Sequence, residues 1–359
     1  MEEAAKSETS KDCSEKTSTC KTILNINDLS VRFDFKNLFS KTKSVLAVEN
    51  LNLSIDEGEF VALVGESGCG KSLTALSVMK LLPKTACISN GTIDFCGKNI
   101  SDMSKKDFRE ISGNDISIIF QDPMSSLNPL KKVGLQIAEA AIAHGTDKKD
   151  AKEKTLEMLK LTGFSDPENI YNSYPSELSG GMKQRILISM ALINEPKLLI
   201  ADEPTTALDV TIQAEIIELL FKLNKKLKTA VLLISHDLTV VANICSKIYV
   251  MYSGEIIESG STKDLLSNPF HPYIKALIQT IPDLEKRRAK LTVLSGNVPS
   301  LEERAGLNCR FYDRCELRKV SKISDKCKCK KLSLYEIEKG HFVRCCKYAD
   351  DACKNGGNF

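Results

Sequence analysis

The sequence predicts an α/β fold, with a mainly parallel sheet covered by helices and a small cysteine-rich module at the C-terminus. Three observations support this prediction. Short β-branched apolar segments alternate with longer amphipathic ones, as in strand–helix–strand units. A glycine-rich turn joins one of these strands to a helix. Seven of the thirteen cysteines lie from Cys309 onward, which marks a change in composition.

The overall composition is that of an ordinary globular protein. The chain has 359 residues, of which 42% are hydrophobic and 27% charged. These values exclude a collagen-like, mucin-like or wholly disordered chain. The net charge of only +3 argues against a dedicated nucleic-acid binder. There is no apolar run of 18 or more residues and no apolar stretch typical of a secretory signal, so we expect a cytosolic chain that does not span a bilayer.

The chain divides into three parts by composition. Residues 1–22 are polar and rich in Ser and Thr, which predicts a disordered tail. Residues 23–265 show the alternation of strands and helices. This alternation stops near Asn268 and Pro282, so residues 266–359 are predicted to form a separate C-terminal module containing the cysteine cluster.

Buried strands are predicted where β-branched apolar runs are bounded by turns. They are Phe60–Val64, Ile116–Phe120, Leu198–Ala201, Val231–Ile234 and Ile248–Met251. After Asp209, apolar residues recur at steps of three and four, which predicts one face of an amphipathic helix. They are Ile212, Ile216, Leu220, Leu223 and Leu227.

The glycine-rich turn fits the pattern G-x-x-x-x-G-K-[ST], between a strand and the helical pattern Leu73–Leu82. Its glycines let several backbone N–H groups point at one phosphate chain, and the helix N-terminus adds its positive dipole end. Lys71 is expected to reach the β- and γ-phosphates, and Ser72 to ligate Mg²⁺. The predicted nucleotide-binding residues are Gly65, Glu66, Ser67, Gly68, Cys69, Gly70, Lys71 and Ser72.

Cys69 has two interpretations within this turn. It is either a small residue that fits the loop, which we favour, or a reactive thiolate beside Lys71 and a helix N-terminus.

A second chemical signal is an apolar strand that ends in two acids, Asp202 and Glu203. A strand-end Asp near such a loop can hold Mg²⁺ through water. The adjacent Glu can polarise the attacking water as a general base. Many strand-end acids are simply solvated, so this assignment depends on the phosphate-binding turn.

Residues 178–185, Leu-Ser-Gly-Gly-Met-Lys-Gln-Arg, resemble the signature motif of ABC-type ATPases. Other motifs follow the order of that family: Gln121 resembles the Q-loop, residues 202–205 Walker B, residues 207–209 the D-loop and His236 the H-loop. For roughly residues 25–265, the resemblance implies a P-loop ABC-type nucleotide-binding domain. Such a domain has a RecA-like core, an antiparallel β subdomain and a helical subdomain.

The resemblance also implies roles for the matched residues. Ser179, Gly180 and Gly181 begin a helix that would bind the γ-phosphate of ATP held by the opposite protomer, so a dimer with sandwiched ATP is expected. His236 would contact the γ-phosphate and orient water. Gln121 would contact Mg²⁺ or water and a coupling segment of a membrane partner. The expected catalytic residues are therefore Glu203, His236, Gln121 and Lys71.

The aromatic residue that stacks on adenine in the family is best matched by Phe33. The family often has Tyr at this position, and Phe35 lies close by in the chain. A core aromatic is the alternative interpretation of Phe33.

Several segments resemble one branch of the family, the oligopeptide and dipeptide (peptide/nickel) importers. They are residues 120–129, 271–277, 296–299, 309–315 and 340–345. The resemblance implies an ATP-hydrolysing subunit on the cytoplasmic face of the membrane. Its expected partners are two transmembrane permease subunits, a second ABC ATPase and, indirectly, an extracytoplasmic solute-binding protein. A heterodimer of ATPases is favoured over a homodimer, and nickel or another small solute is the alternative cargo.

Two other classes of protein are alternatives to this interpretation. A soluble ABC ATPase acting on nucleic acid is opposed by the near-neutral charge, the single ATPase unit and the importer-like Q-loop region. A non-catalytic subunit conflicts with the intact Glu203, His236 and signature motif.

In a cytosolic chain, the cysteine cluster favours metal binding over disulfides, and the odd number of cysteines prevents full pairing within one chain. The resemblance implies a [4Fe–4S] cluster, which four thiolates suit. Structural zinc is an alternative, although the paired C-x₂-C spacing is absent, and an unmetallated module is another. The expected ligands are Cys309, Cys315, Cys345 and either Cys327 or Cys329, with Cys346 and Cys353 as spare thiols.

Overall fold

The computed structural model describes residues 21–35, 43–122, 126–206, 208–279, 296–304, 306–319, 327 and 332–349. Several predictions fall outside these residues, namely the tail up to residue 20, Ala207 of the D-loop, Cys329 and Cys353. The domain boundaries stay predictions. Two elements cross the predicted boundaries. A strand that begins at Thr22 crosses the boundary after residue 22, and a helix over Thr262–Ser267 crosses the boundary after residue 265.

A four-stranded antiparallel sheet is formed largely by the N-terminal part of the described chain. Its strands are β1 (Thr22–Phe35), β2 (Lys43–Asp56), β4 (Ala86–Phe95) and β5 (Lys98–Asn99), in the order β2-β1-β4-β5. Alternating buried residues of β1, such as Leu24 and Ile26, face an apolar core shared with the main sheet.

The main sheet has eight strands in the order β11-β12-β10-β9-β3-β8-β7-β6. Five of them are parallel: β3 (Phe60–Val64), β6 (Ile116–Ile119), β7 (Leu198–Asp202), β8 (Ala230–Ser235) and β9 (Lys247–Tyr252). These are the five strands predicted from apolar runs. β6 ends one residue before Phe120, whose side chain is 43% exposed. Their carboxyl ends meet at one edge, which carries the phosphate-binding turn.

Helices cover this sheet and fill the connections between its strands. They are α1 (Lys71–Val78), α2 (Lys105–Ile111), α3 (Val133–Ile142), α4 (Lys148–Leu161), α5 (Pro167–Asn172), α6 (Gly180–Leu192), α7 (Val210–Leu227), α8 (Leu238–Ile244), α9 (Thr262–Ser267) and α10 (Pro272–Gln279). The apolar face predicted for the helix after Asp209 is present on α7, where Ile216, Leu220 and Leu223 are buried. No helix in the described part of the chain is long and apolar enough to cross a membrane.

The C-terminal module packs directly on the main sheet. β10 (Glu255–Ser261) pairs with β12 (His341–Val343), and β12 pairs with β11 (Tyr335–Glu338), so a hairpin of the module extends the sheet. Phe311 of the module contacts the ring of Tyr252 in a T-shaped arrangement, with centroids 5.2 Å apart. The module and the ATPase domain therefore share an apolar core.

Candidate active site

The phosphate-binding turn lies between β3 and α1 and passes close to β9. A Cβ atom at Gly65 would overlap the carbonyl oxygen of Met251. Gly70 has φ +111° and its added Cβ would stand 2.7 Å from the Met251 side chain. Only glycine permits this path, because the backbone approach leaves no room for a side chain. The sequence pattern thus reflects a real packing constraint.

Lys71 lies within this turn and is buried. Its Nζ donates to the carbonyl oxygens of Gly65 (2.8 Å) and Glu66 (3.2 Å). The same ammonium lies 3.6 Å from Oε1 of Glu203. The Lys71 ammonium therefore lies between two backbone carbonyls of the turn and the acid that follows β7, where a polyphosphate and its metal would meet.

Asp202 ends β7 and is buried next to the turn. Burial raises the pKa of its carboxyl, and a hydrogen bond from the Ser72 side chain opposes that shift. Within the described chain, Oδ1 of Asp202 is buried without a hydrogen-bond partner. A hydroxyl and a carboxylate oxygen are hard ligands of the kind that Mg²⁺ prefers. Ser72 and Asp202 therefore fit the predicted magnesium site.

The carboxylate of Glu203 is the meeting point of the predicted catalytic residues. Its Oε2 accepts hydrogen bonds from Nε2 of Gln121 (3.1 Å) and Oγ1 of Thr206 (3.0 Å). Nδ1 of His236 lies 3.7 Å from the same oxygen. With Lys71 on the other side, the structure brings the other three predicted catalytic residues to the carboxylate of Glu203. Thr206 was not singled out by the sequence analysis, although a hydroxyl three residues after the second acid is a usable signal.

The backbone of Glu203 is held in an uncommon conformation. Its φ is +45°, in the left-handed region that non-glycine residues seldom adopt. Its amide donates to the carbonyl oxygen of Ile234 on the neighbouring β8, 3.0 Å away. Strain of this kind persists where surrounding contacts fix it, and such contacts cluster at functional sites.

The signature residues lie at the start of α6. Ser179 is the N-cap, and its Oγ accepts a hydrogen bond from the amide of Met182 (3.3 Å). A Cβ added at Gly181 would stand 2.8 Å from the side chain of Ile212 on α7. The signature residues thus pack at the junction of α6 and α7. Asp202 and Glu203, by contrast, contact Ser72 and Lys71 of the phosphate-binding turn. The two predicted nucleotide-contacting regions are thus built on different elements.

Phe33 and Phe35 stack on each other near the end of β1, with centroids 6.0 Å apart and planes inclined by 20°. Phe33 is only partly buried and Phe35 is 45% exposed. Their exposure is compatible with a ligand-contacting ring. The choice between them stays a prediction.

Cys69 is fully buried within the turn. Burial raises the pKa of its thiol, and the nearby Lys71 ammonium only partly offsets this effect. The thiol is therefore neutral at pH 7, which supports the interpretation of Cys69 as a small packing residue rather than a reactive thiolate.

The C-terminal cysteines correct one expectation from the sequence. Cys327, a predicted cluster ligand, forms a disulfide with Cys346, a predicted spare thiol, and their Cα atoms are 5.7 Å apart. Both pack with Leu332 in a small apolar cluster. Spacing along the chain could not reveal this pairing, because it depends on how the hairpin folds back.

The other predicted ligands within the described residues are Cys309, Cys315 and Cys345, none of which forms a disulfide. Burial raises the pKa of Cys309 to about 12 and that of Cys345 to about 11, and it also raises the pKa of Cys315. Across the described ranges, no three His, Cys, Asp or Glu residues are placed to hold a metal. Cys327 is thus paired, whereas Cys329, the other expected ligand, lies outside the described residues, so the iron–sulfur cluster and its zinc alternative stay predictions.

Comparisons with known families agree with the geometry. Residues 48–206 match the family model "ABC transporter". Residues 257–321 match "Oligopeptide/dipeptide transporter, C-terminal region". The first match covers the phosphate-binding turn, Gln121, the signature motif and Glu203, and the second covers the start of the C-terminal module.

Individual proteins are similar over nearly the full chain. The probable peptide ABC transporter ATP-binding protein y4tR of Sinorhizobium fredii is 46% identical over 90% of this chain and 94% of its own length. The oligopeptide transport ATP-binding protein AppD of Bacillus subtilis is 42% identical over 93% and 99%. Among solved structures, the dimeric ATP-binding cassette MJ0796 bound to ADP and Pi is similar, with a TM-score of 0.58 and 27% identity. It matches 67% of this chain and 99% of its own.

Proposed function

Because this chain belongs to the ABC transporter ATP-binding proteins and contains the C-terminal region of their oligopeptide/dipeptide branch, we propose that it is the ATP-hydrolysing subunit of a membrane importer of oligo- or dipeptides. The observation that supports hydrolysis best is the convergence of Gln121, Thr206 and His236 on the Glu203 carboxylate beside Lys71. A domain that only bound nucleotide would not need such a buried acid.

The reaction follows from these contacts. Lys71 and the N–H groups of the turn bind the β- and γ-phosphates, and Ser72 with Asp202 would hold Mg²⁺, which neutralises phosphate charge when bound. Glu203 accepts the proton of the attacking water. Gln121 and His236, both next to Glu203, orient that water toward the γ-phosphorus, in line with the bond to the β,γ-bridging oxygen, which breaks as ADP leaves and inorganic phosphate forms. Product release then returns the site to its starting state.

We infer that the second half of each ATP site comes from another ATPase subunit. The start of α6, with Ser179 and Gly181, offers N–H groups and a positive dipole end for a γ-phosphate. The similar cassette MJ0796 is described as dimeric. A heterodimer with a homologous ATPase is favoured and a homodimer is the alternative; co-purification with a tagged copy of this chain distinguishes them.

An apolar groove beside Gln121 is the proposed docking site for the permease. It has a volume of about 450 Å³ and lies between the main sheet and helices α3 and α6. Leu81 and Phe120 line it with side chains that are 50% and 43% exposed. Phe120 is adjacent to Gln121, which donates to Glu203, so a coupling segment in the groove would be linked to the catalytic acid.

We propose that the chain works in this arrangement as a peripheral subunit on the cytoplasmic face of the membrane. In it, the antiparallel sheet and the α3–α6 region serve as the β and helical subdomains of the cassette. A solute-binding protein would deliver the peptide from the outside.

The test is the ATPase activity of the native complex, isolated from membranes through this chain and reconstituted with its solute-binding protein. Stimulation by oligo- or dipeptides is expected. Stimulation by nickel alone would change the cargo to a metal ion. Absence of a membrane subunit, together with stimulation by nucleic acid, would refute the importer.

A further inference from the structure

Three arginines of the C-terminal module extend into the ATPase domain beside the phosphate-binding turn. They are Arg304, Arg310 and Arg314, and the side chains of all three are nearly inaccessible to solvent. Arg310 donates to the carbonyl oxygen of Ser253 (2.6 Å) and pairs with Glu49, so it anchors the module to the turn after β9 and to strand β2. The other two contact the turn itself.

Arg314 binds the side chain of Glu66, the second residue of the turn. Its Nη1 lies 3.0 and 2.9 Å from the two carboxylate oxygens and 3.3 Å from the hydroxyl of Tyr252. The guanidinium also lies 5.7 Å from the centre of the Tyr252 ring. A charge-assisted contact at this degree of burial fixes the carboxylate more firmly than a surface pair would.

Arg304 binds the backbone of the same turn. Its Nη2 donates to the carbonyl oxygen of Gly68 (3.1 Å) and its Nη1 to that of Ala47 (3.3 Å). Gly68 has φ +74°, and the next amide, that of Cys69, donates to the carbonyl oxygen of Glu66 (3.3 Å). The peptide between Gly68 and Cys69 is therefore held at both ends, by the module at its oxygen and by the loop at its nitrogen.

We propose that Arg304 and Arg314 are positioning residues, through which the C-terminal module holds the phosphate-binding turn and sets the affinity of the nucleotide site. The turn binds phosphate through its backbone N–H groups, so binding is tightest when the loop is already ordered in the right shape. Arg304 fixes one of its peptides and Arg314 fixes one of its side chains. Neither arginine needs to contact the nucleotide. The proposal rests on the proposed function, since it takes this turn as the ATP site.

The test measures equilibrium binding of MgATP to the full-length chain in which Glu203 is replaced by Gln, so that nucleotide is not consumed. R304Q and R314Q are each expected to weaken binding by about 3- to 30-fold, the range typical of coupling through positioning contacts. R318Q is the matched control. Arg318 is an arginine of the same module that pairs with the exposed Asp313 (3.5 Å), and its replacement should leave affinity within twofold.

A double-mutant cycle separates positioning from loss of fold. If Arg314 acts through Glu66, then E66Q/R314Q should weaken binding no more than the stronger single variant does. R314K, which retains the charge but loses the planar guanidinium that lies near the Tyr252 ring, should lie between wild type and R314Q. If R314Q does not fold, R314K and E66Q test the same contact from its two sides.

The outcomes are distinguishable. A chain with intact arginines that does not bind MgATP would refute the proposed function itself. Tight binding by that chain, with R304Q and R314Q folded and within twofold of it, would overturn the positioning role.

Discussion

Replacement of Glu203 by Gln is the sharpest test of the catalytic site. Gln is nearly isosteric and keeps an oxygen that can accept from Thr206, so the local fold should persist. What disappears is the proton acceptor. Loss of general-base catalysis lowers a rate by about 10²- to 10⁴-fold, which corresponds to about 3 to 5 kcal/mol in the activation free energy. We expect kcat for ATP hydrolysis to fall by that factor.

The affinity for MgATP should not fall with the rate in E203Q. The Glu203 carboxylate lies 3.6 Å from Nζ of Lys71 and its side chain is only 13% exposed. Coulomb's law with an effective dielectric constant of about 20 gives an attraction of about 4 to 5 kcal/mol as an upper bound. Removing the carboxylate frees Lys71 to interact with phosphate, so MgATP should bind the variant as tightly as the wild type or more tightly.

The assay pairs phosphate release with equilibrium binding of MgATP, both on the intact complex. E215Q is the matched control, since Glu215 is half exposed and pairs with Arg185 (3.1 Å). It should leave kcat unchanged. A rate of phosphate release by E203Q equal to that of wild type would refute the general-base role. A rate that falls only because MgATP no longer binds would do the same.

Three further measurements test other parts of the molecule. F33A should weaken nucleotide binding by about tenfold or more, as loss of base stacking does, and F35A should have a smaller effect; the reverse order in a binding titration would transfer the adenine contact to Phe35. Burial lowers the pKa of His271 to about 3, below its usual 6.5, so its contribution to stability is complete above pH 6.5 and is lost as pH falls toward 3. Urea midpoints should therefore decrease over that window, and H271N, which can still accept a backbone hydrogen bond, should flatten the slope. Protein purified without oxygen should show the Cys327–Cys346 link by mass spectrometry, and free thiols at both positions would overturn that pairing; iron and sulfide in protein that keeps the link would make Cys329 the fourth cluster ligand.

Much of the nucleotide site could be predicted from the sequence because its chemistry is local. The turn at residues 65–72 needs glycine wherever the backbone passes close to β9, and Gly65 meets that need against Met251. The five parallel strands were predictable because strands buried on both faces are continuous apolar runs. The start of α6 at Ser179 follows from N-cap chemistry, which involves only the next three residues.

The contacts that join distant parts of the chain were decided by the tertiary structure. Gln121 reaches Glu203 over 82 positions, because β6 and β7 are neighbours in the sheet. Arg314 reaches Glu66 over 248 positions, because the C-terminal hairpin extends that sheet and folds the module back over the turn.

The sequence alone therefore determined which residues could bind phosphate, hold magnesium and accept a proton, since those properties belong to residue types in short patterns. It could not show that Thr206 donates to the Glu203 carboxylate, that Cys327 pairs with Cys346, or that Arg304 and Arg314 contact the phosphate-binding turn. Such contacts depend on strand order and on side-chain packing, and neither is encoded in the spacing of residues along the chain.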